Sequence, residues 1–142
     1  MLRSGTLGLL LAFLALAPTA HAQERIGVLL SFTASDTLGE RLGSAFRERL
    51  GRSATFREVP QPAESAFTLN VATLDPTDQQ TQTIYSFVIL LTNPSGLDGY
   101  LGSYVGACGP GDIQDCANNL YAGLEEQLEV VRQRAGPPAT RP

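Results

Sequence analysis

Apolar and polar positions along the chain fall into continuous, alternating and helical patterns, and these lay out the elements in order. "RIGVLLSF", residues 25–32, is an aliphatic run bounded by polar residues and reads as a buried first strand. From Thr37 to Leu50 the residues Leu38, Leu42, Ala45, Phe46 and Leu50 recur at helical spacing with charges between them. Thr37 and Glu40 have the spacing of a capping box, Asp36 competes as the cap, and Gly51 is a natural stop. Gly39 and Gly43 either weaken this helix or let it approach a sheet closely.

"ATFREV", residues 54–59, is a short second strand, ended by Pro60 and Pro62. Residues 66–74 alternate, with Phe67, Leu69, Val71 and Thr73 on one face and Thr68, Asn70 and Ala72 on the other. Asp75 and Pro76 open a polar connection. Residues 83–92 form the most apolar segment, expected to be the central strand. A further strand over residues 100–105 sets Tyr100, Gly102 and Tyr104 on one face. Asp112 is placed to cap a second helix, whose stripe is Ile113, Cys116, Ala117, Leu120, Leu124, Leu128 and Val131. The tail, residues 136–142, has no periodicity and is expected to be disordered.

The order β-α-β-β-β-β-α predicts an α+β fold: a two-layer sandwich of a mixed sheet of about five strands, with two helices on one face. Residues 23–135 make one domain with a modest core. Residues 1–22 read as a cleaved signal peptide. Arg3 supplies the positive start, Leu7 to Ala17 the apolar run, and "AHA" the small residues before a cut at Gln23. That run falls short of the about 20 apolar residues a spanning helix needs, and no later run is longer. The expected location is the periplasm or the exterior.

Removing such a leader narrows the chemistry. The one histidine, His21, leaves with it, and the chain has no lysine or tryptophan. Ser-His-Asp and Cys-His nucleophile systems, Schiff bases and histidine-containing zinc sites are then out of reach. No cofactor is expected. Without Arg3, nine of the ten Arg remain against fourteen Asp and Glu, an acidic balance that disfavours a nucleic-acid partner. Arg41, Arg47, Arg49, Arg52 and Arg57 do cluster, but Glu40, Glu48 and Glu58 interleave with them, as on a solvated helix face.

Two cysteines, Cys108 and Cys116, stand in "GACGPGDIQDCANNL". In an oxidising compartment such a pair forms a disulfide, here closing a short loop between the last strand and the last helix. On the chain-entropy model that loop contributes about 2–3 kcal/mol. A metal site would need two more ligands, and past the leader no histidine or third cysteine exists to supply them, while a redox role would favour the tighter C-x-x-C spacing. The redox role stays as an alternative, because Cys116 sits at a helix start. "GPGD" offers a weaker signal, an anion site built from the amides near Gly109, Gly111 and Ile113, against which Asp112 and Asp115 compete. The carboxylates Asp75 and Asp78, Asp112 and Asp115, and Glu125, Glu126 and Glu129 all stand where capping or solvation explains them. Tyr85, Tyr100 and Tyr104 are expected at the core edge. No catalytic residue is assigned.

"LGSAFRERLGRSATFREV", "FTLNVATLDP", "TIYSFVILL", "YLGSYVGACG" and "DCANNLYAGLEE", in that order, resemble a family of short, exported, uncharacterised proteins of Gram-negative bacteria. The matching positions are Leu74, Asp75, Pro76, Tyr100, Leu101, Val105, Gly106, Cys108, Cys116 and Ala117, within residues 43–130. Residues 86–91 depart from that pattern, an aliphatic run replacing a more aromatic strand. The element order also looks like the N-terminal α/β module of the periplasmic protein TolB, an analogy of fold that implies no activity. The expected function is therefore a non-catalytic, envelope-associated binding domain with an envelope component as partner. The alternative is a small carboxylate-based hydrolase or ligand-binding enzyme.

Overall fold

In a computed structural model, residues 24–93 and 98–136 are described. The expected leader, residues 94–97 and all of the expected tail but Gly136 lie outside them. The elements are β1 (Ile26–Ala34), α1 (Thr37–Gly51), β2 (Phe56–Glu58), a 3-10 turn (Pro62–Glu64), β3 (Phe67–Leu74), β4 (Thr83–Leu91), β5 (Gly99–Cys108) and α2 (Ile113–Ala135). They form one open, mixed sheet in the order β2-β1-β3-β4-β5. β1 pairs parallel with β2 and β3, and β3, β4 and β5 follow antiparallel. This is the α+β architecture expected from the element order.

Strand alternation decides which face is covered. Phe67, Leu69 and Val71 of β3 are buried beside Val28, Leu30 and Phe32 of β1 on one side and Ile89 and Phe87 of β4 on the other. α1 lays Leu38, Leu42, Phe46 and Leu50 on that face at intervals of four, and Phe46 meets the Phe87 ring edge-on at 6.1 Å. α2 adds Ile113, Cys116, Ala117, Leu120, Leu124 and Leu128 of the expected stripe, whose last member Val131 is partly buried, together with Tyr121. Each fully buried Leu, Ile, Val or Phe among them contributes about 1.5–3 kcal/mol. Both helices lie on this face.

The two glycines inside α1 serve close approach. A side chain at Gly39 would collide with Thr73 of β3, and a Cβ at Gly43 would stand 2.9 Å from the Phe32 ring. On the opposite face, the connection from β2 to β3 crosses β1 at Gly27, where a Cβ would strike the Glu64 carbonyl. The Ala66 amide donates to the Gly27 carbonyl at 2.8 Å and fixes that crossing.

Four expectations are corrected. The middle strand is β3, not the more apolar β4, because β3 takes both the parallel β1 and the antiparallel β4. The extra apolar residues of β4, Ile84, Val88 and Leu90, lie on the uncovered face. β2 pairs over three residues only. Tyr100 does not share a face with Gly102 and Tyr104. The register shifts at Ile89 and Leu90, so Leu101 bulges, and Tyr100 points outward with its hydroxyl 3.0 Å from that of Ser103. Finally, Asp112 holds the N-cap position of α2, but its side chain makes no capping bond.

Candidate functional site

The cysteines lie where β5 ends and α2 begins. Cys108 and Cys116 are joined in a disulfide with Cα atoms 6.2 Å apart, both buried in the core. Their sulfurs thus tie a strand end to the first turn of a helix, the geometry of a structural bridge. In the loop between them, the Asp112 amide donates to the Gly109 carbonyl at 3.1 Å. The Asp112 carboxylate leans over Gly109, within 3.1 Å of where a Cβ would be, and Asp115 adds charge in the same turn. Ile113 is buried. An anion approaching the amides of Gly109, Gly111 and Ile113 thus meets carboxylates.

A second grouping was not legible in the sequence. Asp36, Asp75 and Asp78, from two separated loops, line one open cleft of about 280 Å³ with Ser35 and Gln80. Two of the three carboxylates are engaged. Asp36 caps α1, accepting from the Gly39 amide at 2.7 Å and from the Thr83 hydroxyl at 2.9 Å. Asp75, itself buried, accepts from the Thr77 amide at 2.8 Å, the Thr77 hydroxyl at 3.0 Å and the Gln80 amide. The Thr77 amide above all holds the Asp75 carboxyl below the usual carboxylate range, against the opposing effect of burial, with the Gln80 amide helping. Asp78 and Gln80 adopt positive φ, 56° and 55°, so that the chain can wrap around Asp75. A general acid needs the opposite shift. Asp75 organises a turn. Among the described residues, no group of three or more His, Cys, Asp and Glu could hold a metal ion.

The arginine cluster resolves into separate partners. Arg47 pairs with Glu58, Arg52 with Glu48 and Arg57 with Glu64, while Arg41 donates to the Pro110 carbonyl. Arg49 lies over the Tyr121 ring, 3.6 Å from its centroid. Such exposed pairs contribute at most about 1 kcal/mol each. Tyr121 was not singled out in the sequence. Its hydroxyl is 2.7 Å from that of Ser53, which also accepts from the Thr55 and Phe56 amides, so this buried hydroxyl pair closes the turn into β2.

The uncovered sheet face is the remaining candidate surface. Among the described residues, the large apolar side chains most open to solvent are Val105 (77 %), Tyr100 (64 %), Leu74 (60 %) and Ile84, all on that face. Tyr85 and Tyr104 lie at the core edge as expected, but Tyr100 does not. Tyr104 donates to Glu126 at 3.2 Å and accepts from Gln127 at 3.0 Å, between β5 and α2.

The molecule so described is an α+β domain with one helical layer, one open sheet face and a disulfide. No protein-family model and no curated protein matches the chain. Among solved structures it is similar to a variant PelC dodecamer from Paraburkholderia phytofirmans. The identity is 18 %, the match covers 75 % of this chain and 87 % of that one, and the TM-score is 0.43. A likeness of that strength carries no functional argument.

Proposed function

We propose that this chain is an exported, non-catalytic domain, periplasmic or secreted, that works by binding another component of the cell envelope. The observation that carries the reading is the open sheet face, where Val105, Tyr100, Leu74 and Ile84 present exposed apolar surface with no described helix over it. The leader-like start, the resemblance to exported Gram-negative proteins and the disulfide agree with export. From Gln23 onward the chain offers neither imidazole nor side-chain amine for catalysis, and its acidic balance points away from nucleic acid. No described helix is long and apolar enough to cross a membrane. A carboxylate-based hydrolase would have to be built on the Asp36, Asp75 and Asp78 cleft, where Asp36 is spent on a helix cap and Asp75 on a turn.

The test is in-cell crosslinking of the tagged protein, with mass spectrometry of what it captures and of its own N-terminus. An N-terminus at Gln23 and a saturable envelope partner, competed by untagged protein, are expected. An unprocessed chain, or folded and disulfide-bonded protein that captures nothing, overturns the reading.

A further inference from the structure

The two edges of the sheet are finished differently. β2 is three residues long, carries Arg57 and Glu58, and is followed by Pro60, all devices that keep a free edge from pairing. β5 has none of them over most of its length. It runs for ten residues, "GYLGSYVGAC", without a charge or a proline, and its one irregularity is the bulge at Leu101. Beyond that bulge, Gly102 to Cys108 is a regular strand hydrogen-bonded to β4 on one side and to nothing on the other within the described sheet. Its outward backbone amides and carbonyls call for an extended strand.

The charges beside this edge say which kind. Asp98 precedes the strand, Glu126 stands beside its middle on the Tyr104 hydroxyl, and Asp112 follows its end. Arg41 is turned to the Pro110 carbonyl past the end of the strand. A second copy, paired antiparallel about the middle of Gly102–Cys108, would bring its own Glu126 toward this one. A basic segment would not be repelled.

We propose that the free edge of β5 takes up an extended, basic segment of a partner protein as a sixth strand. The proposal rests on the reading of this chain as a binding domain and names the surface and the partner's chemistry. Side chains of the added strand alternate between the two faces. Those on the helical face lie beside Tyr104 and Glu126 and are Arg or Lys. Those on the open face lie beside Val105, more than three-quarters exposed, and are apolar.

The test uses two ten-residue probe peptides, alternating Val-Arg and alternating Val-Glu, added to the protein in the form that accumulates in its host. Fluorescence anisotropy reads affinity and hydrogen exchange reads the site. The expected result is that Val-Arg binds at least about tenfold more tightly, weakens with salt, and slows exchange at the outward amides of β5. E126Q lowers its affinity roughly three- to fivefold, while E129Q on the same helix leaves it unchanged. Equal binding of the two peptides, no binding of either, or protection away from β5 overturns the proposal. So does concentration-dependent protection of β5 in protein alone, which would make the occupant a second copy. A captured envelope partner that contacts another surface sinks this inference and leaves the binding reading standing; capture of nothing sinks both.

Discussion

The two helices begin by different means. α1 starts on a side chain: Asp36 takes the Gly39 amide with one oxygen and the Thr83 hydroxyl of β4 with the other. One carboxylate thereby caps a helix and ties it to the sheet. α2 starts on a covalent bond. Asp112 occupies the cap position without using its side chain, and Cys116, in the first turn, is held to the end of β5 by sulfur. The difference teaches that equivalent anchoring of helix to sheet is available from a polar network or from a crosslink, and that the two respond to different perturbations. The first responds to loss of a hydrogen-bond acceptor, the second to reductant.

The largest way to break this comparison is to reduce the disulfide or to replace both cysteines by Ala. Loss of about 2–3 kcal/mol is expected in urea unfolding, with faster amide exchange in the first turn of α2 and none added in α1. Asp36→Ala comes next, at about 1–2 kcal/mol, because a cap is lost and the buried Thr83 hydroxyl is left without its acceptor. Asp36→Asn should recover part of that, and its exchange signature should be the reverse, with α1 fraying and α2 intact. Asp112→Ala sharpens the contrast: a change below about 0.5 kcal/mol is expected, since no capping bond exists to be lost. A larger loss would show that Asp112 caps α2 after all.

The smallest effect is an acid one. Asp75 has its folded-state pKa lowered, so the stability it adds is present above the ordinary carboxylate pKa and fades as pH falls through the lower, folded value. Amide shifts of Thr77 and Gln80 should therefore titrate together below the ordinary range. Asp75→Asn should abolish that transition.

What the sequence made legible was whatever depends on local period. The α1 stripe, the β3 alternation and the α2 stripe all follow from side-chain spacing, and the residues at those positions are buried, Ala45 and Val131 only partly. The disulfide was legible from the number of cysteines and their spacing. Strand order was not, because hydrophobicity reports burial on either face: β4 is more apolar than β3, yet β3 sits in the middle. The bulge at Leu101 was also hidden, and it reversed the expected facing of Tyr100. Between the two candidates for capping α1, Asp36 and Thr37, the deciding partner was Thr83, distant in sequence. For the same reason the meeting of Asp36 with Asp75 and Asp78 could not be read from spacing.

The parallel pairing of β1 with β3 has a consequence for how the chain assembles. β3, β4 and β5 are neighbours both in sequence and in space and can zip as a meander. β1 cannot join them by local pairing. Its register with β3, Val28 against Phe67, closes a long loop that holds α1, β2 and the crossing at Gly27. During synthesis at roughly 5–20 residues per second, β1 therefore emerges with only the three-residue β2 to pair with and waits some seconds for its main partner. Throughout that interval Val28, Leu30 and Phe32 have α1 to cover them but no β3 beside them, so this first strand keeps an unpaired edge until the meander arrives.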